Sequence, residues 1–274
     1  MYSKFRLKAD LLQSYLDQFE LYNELKPADI DKERLKVYKQ LKNFEGAGGV
    51  IDGKALQNYV FPNGKVNDYD IFISYSHNEN DEKLVKRFVA YLQDYCGLKV
   101  FLDYYVWKSA DSLLKKIDDC YCKTRDSKHY IYGRRNYSTS HVHAMLSMAI
   151  MDIINKTECC IFLDSDHSIH MDGLNNTNKA RTLSPWIYEE LSFMRYLPIQ
   201  QTILRTKMFS SGMENLFEGV QLKVAHEADM KGFLPMDEID LSLLAHYGET
   251  KGLDALYHRY SYKPSSGGIA LTDY

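Results

Sequence analysis

Apolar residues in the N-terminal part of the chain recur every three or four positions, which is the period of a helix. One apolar face consists of Leu7, Leu11, Leu12, Tyr15, Leu16, Phe19 and Tyr22. Pro27 interrupts the pattern, and further helices are predicted over 29–45 and 55–60, before a turn at 62–64. We therefore expect residues 1–67 to form an N-terminal helical extension that packs on the next domain, or alternatively an arm that forms oligomers.

A different pattern starts near residue 69, where short apolar runs alternate with helical stretches. The runs at 70–75, 99–103 and 158–164 predict strands, and they are apolar without alternation. Strands buried on both faces and separated by helices are typical of a parallel sheet, so the predicted fold class is α/β. Predicted helices occupy 84–92, 113–117, 142–154 and 186–196.

The C-terminal part has weaker signals. Candidate edge strands lie at 201–205 and 223–227, and a short final helix is predicted at 253–260. The predicted organisation is therefore an extension over 1–67, a central domain over 68–205 with an insertion at about 121–140, and a C-terminal elaboration and tail over 206–274.

Composition narrows the class of protein. The 274 residues are 45% hydrophobic and 26% charged, which excludes a mostly disordered chain, and a net charge of −3 argues against a general nucleic-acid binder. No apolar run is long enough to span a membrane and the N-terminal segment is too charged for a secretion signal, so a cytoplasmic protein is expected. Five cysteines without a C-x-x-C pair predict reduced thiols and no metal site.

Polar residues follow the predicted strands, at Ser74-Tyr75-Ser76-His77, at Asp103 and at Asp164-Ser165. Parallel sheets bind ligands at the carboxyl ends of their strands, where the winding direction reverses. If the strands are ordered 2-1-3, the crevice lies between the strands that end at Ser74 and Asp164. No G-x-G-x-x-G, P-loop or G-x-S-x-G motif is present, which argues against those classes of nucleotide-binding protein and hydrolase.

Four motifs occur in a specific order along the chain: Phe72-Ile73-Ser74-Tyr75, Val100-Phe101-Leu102-Asp103, Asp111-Ser112-Leu113, and Trp186 followed by Glu190. This set resembles a Toll/interleukin-1 receptor (TIR) domain, most closely the bacterial NAD-cleaving antiphage type. The resemblance covers about residues 68–205 and implies a flavodoxin-like fold with a central parallel sheet. The chain departs from the family at Ala110, where the family has Gly, and in the insertion.

The resemblance implies cleavage of the nicotinamide–ribose bond of NAD+, which is a substrate, with no cofactor. It assigns catalysis to Glu190 and ligand binding to Ser74, Tyr75, Ser76, Asp103, Trp107, Asp111, Ser112 and Trp186. Helix capping is the alternative for Asp103, Asp111 and Ser112, and core packing is the alternative for the two tryptophans. The implied setting is antiphage defence, through NAD+ depletion or an ADP-ribose-derived signal to a separate effector. Self-association through the predicted loop 104–110 is also implied. The alternatives are a non-catalytic TIR–TIR interaction module and a nucleotide transferase of related fold.

The chemistry can also be argued from the residues. Ser184 is a good N-cap and Pro185 suits the first helical position, so a helix is expected to begin there, with Trp186 and Glu190 on one face. Glu189 then points about 100° away from Glu190. Nicotinamide carries a positive charge in NAD+ and leaves neutral, so one carboxylate that stabilises an oxocarbenium-like state is sufficient.

The predicted insertion is basic and rich in tyrosine. Residues 121–137 hold Lys123, Arg125, Lys128, Arg134 and Arg135 against Asp126, with four interleaved tyrosines. A solvated loop, a nucleotide- or partner-binding element and a nucleic-acid grip are all compatible with this composition. His141 and His143 are two apart, which does not place them on one helix face as metal ligands.

Overall fold

A computed structural model describes residues 3–19, 41–45, 50–61, 69–102, 104–126, 128–172, 179–198, 226–228 and 230–261. The strands in these ranges are β1 (Ser3–Lys8), β2 (Ile71–Ser74), β3 (Val100–Leu102), β4 (Cys159–Asp164), β5 (His170–Asp172), β6 (Lys179–Thr182), β7 (His226–Glu227) and β8 (Leu234–Pro235). The α-helices are α1 (Ala9–Leu16), α2 (Gly53–Val60), α3 (Glu79–Asp94), α4 (Tyr104–Ile117), α5 (Tyr132–Lys156), α6 (Pro185–Tyr196) and α7 (Glu238–Ser261).

The centre of the molecule is a five-stranded sheet in the order β3-β2-β4-β1-β8, and every pairing in it is parallel. The strands at 100–102, 71–74 and 159–164 have the 2-1-3 order that the crevice argument requires, and the mixed α/β architecture is flavodoxin-like. A second, antiparallel sheet consists of β5, β6 and β7. Among the described residues, no helix is both long and apolar enough to span a membrane.

The N-terminal residues differ from the prediction, because residues 3–8 form a strand and the first helix begins only at Ala9. The prediction of a helical face that includes Leu7 is therefore wrong. The run from Lys4 to Lys8 alternates polar and apolar residues, which is the period of a strand. β1 pairs with all six residues of β4, and β8 joins its other side.

Helices cover both faces of the sheet. Alternate strand residues, including Phe5, Ile73 and Ile161, pack against α1, α3 and α7. The opposite face carries Phe72 and Cys160, which pack against α2, α4, α5 and α6. Burial of both faces explains why the predicted strands lack alternation.

Two further expectations need correction. The segment 104–110, predicted as a loop, is the first half of α4. At the predicted insertion 121–140, a π-helical turn that begins earlier, over Asp118–Cys122, leads to a bridge between Lys123 and Tyr130, and α5 already begins at Tyr132. The interruption is therefore shorter than the sequence pattern suggested.

Other predicted elements are confirmed in part. The segment at 55–60 is helical, and of the predicted helix over 29–45 only 41–45 is described, where Leu41–Phe44 forms a 3₁₀ turn. The candidate strand at 201–205 lies outside the described residues. Only His226–Glu227 of the run at 223–227 is described, as β7, and the final helix α7 is longer than predicted.

The position of β1 predicts the effect of Phe5→Ala. The Phe5 side chain is fully buried in the middle of the sheet, so its truncation should lower the free energy of unfolding by about 3–5 kcal/mol. Urea unfolding followed by circular dichroism measures this. Lys8→Ala on the same strand, where the side chain is 62% exposed, should cost less than about 1 kcal/mol. A similarly small effect of Phe5→Ala would contradict the central placement of β1.

Candidate functional site

A buried hydrogen bond joins the carboxyl end of β2 to α6. The hydroxyl of Ser74, the last residue of β2, donates to Glu190 Oε2 over 2.6 Å. Ser74 is 0% and Glu190 1% exposed. A hydroxyl bonded to a carboxylate forms a short, charge-assisted interaction, which orients the carboxylate. The structure thus joins two residues that the sequence had singled out separately.

The start of α6 determines which side chains reach this position. Ser184 is the N-cap and its hydroxyl accepts from the backbone N–H of Ile187 over 3.3 Å, while Pro185 occupies the first turn. The predicted helix start is confirmed. Trp186 and Glu190 are consequently one turn apart, with Glu190 directed toward Ser74 of the sheet.

The neighbouring face of α6 packs against α5. The Trp186 ring meets the His143 ring edge-on, with centroids 5.3 Å apart. Burial lowers the pKa of His143, and the negative charge of Asp111 on α4 acts in the opposite direction. Burial raises the pKa of Glu189, which a hydrogen bond with Ser147 partly offsets. The two adjacent glutamates of α6 therefore have different surroundings.

A buried lysine lies on the same face of the sheet as Ser74. Lys4 of β1 is 4% exposed, and its Nζ donates to the carbonyl oxygen of Met194 in α6 over 3.1 Å. Its strand partner Cys160 is buried, which raises the pKa of that thiol to about 12. The charges of Glu190 and Lys4 act on this thiol with opposite signs. A positive and a negative group thus share one buried interface.

Other polar groups at the carboxyl edge have internal partners. Buried Asp164 accepts from Arg6 Nη2 over 2.7 Å and from Lys8 Nζ over 2.5 Å. Ser165 donates to Asp81 Oδ2 over 2.5 Å. Burial raises the pKa of Asp81, and the bond from Ser165 offsets part of that effect. These contacts link the ends of β1 and β4 to each other and to α3.

The other described site residues have surroundings of their own. Tyr75 is 1% exposed and belongs to the core on the opposite face of the sheet, with its ring stacked on that of His77 at 4.9 Å. Ser76 is half-buried and its hydroxyl accepts from the Asn78 N–H over 3.4 Å. Ser112 is half-buried in α4, and its neighbour Asp111 is exposed. Asp103 and the side chain of Trp107 lie outside the described residues.

Two residues of the site region were not predicted from sequence. Lys4 was assigned to a helix, although the alternation around it is a strand signal. His143 was treated only as one of two histidines near a helix start, whereas it lies well inside α5 and contacts Trp186. His141 is exposed beside Tyr137, and no group of side chains in the described ranges could hold a metal ion.

Part of the chain matches a known domain family. Residues 69–113 match the SEFIR domain, a family of TIR-like domains associated with signalling. The match runs from just before β2 into α4, so it includes Ser74 and Asp111 and ends well before Glu190. SEFIR and TIR-like domains generally mediate homotypic interactions. No curated protein and no solved structure matched the chain.

The environment of His143 predicts a pH dependence of stability. Because burial lowers its pKa in the folded state, the unfolded chain binds the proton more readily, and stability is lost as pH falls below about 6.5, the ordinary histidine value. His143→Gln should therefore lose less unfolding free energy than the parent between pH 7.5 and 5.5, measured by urea unfolding.

A matched control is His141→Gln, since His141 is exposed two residues earlier on the same helix. This variant should follow the pH dependence of the parent. An unchanged pH dependence in His143→Gln would contradict the assigned effect of burial.

Proposed function

We propose that the protein cleaves the nicotinamide–ribose bond of NAD+, with Glu190 as the catalytic carboxylate. The observation that carries the proposal is the buried Glu190, oriented by Ser74 at the carboxyl end of β2 and one turn from Trp186. A buried carboxylate held at a sheet edge where parallel α/β proteins bind ligands suits stabilisation of a developing positive charge.

The atoms and electrons of this reaction balance without a cofactor. The bond between ribose C1′ and the nicotinamide nitrogen breaks, and its electron pair remains on that nitrogen, which becomes neutral. The ribose acquires oxocarbenium character, which the Glu190 carboxylate stabilises. Water then attacks C1′ and loses a proton to give ADP-ribose, or a nucleophile within the molecule attacks to give a cyclic product. Glu190 can accept the released proton.

Trp186 is suited to bind the nicotinamide ring, the part of NAD+ that leaves. The nicotinamide ring of NAD+ is cationic, and cations are attracted to the face of an indole ring. His143 packs edge-on against Trp186 and so limits the ring's orientation. In this proposal α6 supplies both groups, one for the ring that leaves and one for the ribose that remains.

The proposal predicts different outcomes at two adjacent glutamates. Glu190→Gln keeps the size of the side chain but removes its charge, and turnover should fall by about 10²–10³, the scale of one lost transition-state contact. NAD+ affinity should change much less. Glu189→Gln should behave nearly like the parent, because Glu189 faces Ser147 of α5.

The catalytic role of Glu190 is tested by measuring turnover with NAD+, NAD+ affinity and thermal melts for both variants. Mass spectrometry of the products identifies ADP-ribose, a cyclic form or a conjugate. A Glu190→Gln variant that is folded and retains more than about a third of the parental rate, far short of that electrostatic scale, would reject Glu190 as the catalytic group.

The biological setting that we propose is antiphage defence, in which cleavage depletes NAD+ or makes an ADP-ribose-derived signal for a separate effector. A second candidate is a non-catalytic module that assembles with copies of itself. The SEFIR match over residues 69–113 favours this second candidate. A purified protein that self-associates and leaves NAD+ intact at high concentration would establish it.

Self-association predicts the behaviour of Trp107→Ala. Trp107 lies in α4, which the matched region enters. If α4 forms the contact between copies, this variant should lose more NAD+-cleaving activity at low protein concentration than at high, because mass action restores the assembly. Sedimentation velocity should show the same concentration dependence. Equal loss of activity at every concentration would instead indicate that Trp107 contacts the substrate.

A further inference from the structure

β1 carries a lysine into the interface between the sheet and α6. Lys4 pairs with Cys160 in the middle of the sheet, and its side chain is almost completely buried. Burying a lysine is costly unless its charge is compensated, and an apolar side chain would fill the same position of a strand at lower cost. This cost indicates a role for the ammonium group beyond packing.

The surroundings of Lys4 restrict the position of its ammonium group. It donates to the carbonyl oxygen of Met194, in the last turn of α6, where helix carbonyls carry partial negative charge. It lies 5.2 Å from the centroid of the Phe233 ring. Gly232, with a φ of 81°, passes so close that a Cβ there would lie 3.2 Å from Lys4 Cε. The chain thus encloses this side chain from α6 and from the turn before β8.

The position of Lys4 is coupled to that of Glu190 through α6. Met194 follows Glu190 by one helical turn, and both are buried against the sheet. Cys160 of β4 is the register partner of Lys4, and β4 lies between β1 and β2, the strand whose Ser74 holds Glu190. In a buried interface of low dielectric, charges interact over longer distances than in water.

We propose that Lys4 is a positioning residue for Glu190, acting by fixing the last turn of α6 and by placing a buried positive charge opposite the carboxylate. This inference rests on the proposed function for its catalytic consequence. The electrostatic coupling between the two side chains is independent of catalysis and can be measured separately.

The main variant is Lys4→Met, which keeps the length of the side chain and removes its charge. The turnover number for NAD+ should fall about tenfold with a smaller change in KM, the effect of about 1.4 kcal/mol on the barrier. In protein labelled with ¹³C-glutamate, the NMR titration midpoint of the Glu190 carboxyl, assigned with Glu190→Gln, should move to higher pH. Loss of a nearby positive charge favours the neutral acid.

Two further variants separate charge from packing. Lys4→Arg restores the charge, so its Glu190 midpoint should return toward that of the parent. Lys8→Met is the matched control, because Lys8 lies on the same strand and is largely exposed, and Arg6 continues to pair with Asp164 in its absence. In Lys8→Met, the titration midpoint of the Glu190 carboxyl and the turnover number should equal those of the parent.

If Lys4→Met does not fold, Lys4→Gln gives the same test, since it also removes the charge but keeps an N–H group that can donate to the Met194 carbonyl oxygen. An unchanged Glu190 midpoint in the folded variant, with melts to verify folding, overturns the proposal. If the Glu190 midpoint moves in Lys4→Met but the parent does not cleave NAD+, the proposed function is rejected and the Lys4–Glu190 coupling remains supported. A purely structural Lys4 would lower the melting temperature without moving the midpoint.

Discussion

The parallel pairing of β1 with β4 is the constraint on which the rest of the architecture depends. It joins segments far apart in the chain, as the contact between Arg6 and Asp164 across 158 positions illustrates. Without β1, the core strand β4 would have an open edge, and β8 would have no strand to join. The N-terminal residues are therefore part of the central core, and their pairing with β4 requires the closure of a long loop.

The two faces of the sheet that this pairing completes bury different kinds of side chain. Phe5 of β1 extends the apolar core beneath α1, α3 and α7. The opposite face buries Lys4, Ser74 and Glu190 among apolar residues. Buried ionic groups are weak evidence for stability, since apolar residues of similar size are often equally stabilising. Their concentration beneath α6 agrees with the proposed catalytic role of Glu190, which requires charge at that position.

The sequence predicted the elements whose signals are local. The apolar runs at 71–74 and 159–164 identified β2 and β4, and the Ser184-Pro185 pair identified the start of α6. β1 was missed because its alternation covers only a few residues, and Leu7 also fits the period of the helix that follows. The sequence of a short amphipathic strand next to a helix fits both the strand period and the helix period. Which structure forms depends on the distant strand with which the segment pairs.

Features of the site that depend on contacts between distant segments could not be predicted in this way. His143 acquires its role from Trp186, and Lys4 from Met194, and neither pair is close in sequence. The segment at 104–110 begins with aromatic and β-branched residues that favour strands locally, yet it forms the first half of α4, whose residues from Ala110 onward pack in the layer with α5. Tertiary packing overrides local preference at such positions.

The division of the site between two parts of the chain relates the two candidate functions to each other. Ser74 belongs to the region that matches the SEFIR domain, whereas Glu190 lies far beyond it. The hydrogen bond between them couples β2, which belongs to the matched segment, to the helix that carries the carboxylate. A contact between copies that shifted β2 or α4 would change the orientation of Glu190. If both proposals hold, self-association and NAD+ cleavage are compatible, and assembly would act on the proposed site through Ser74.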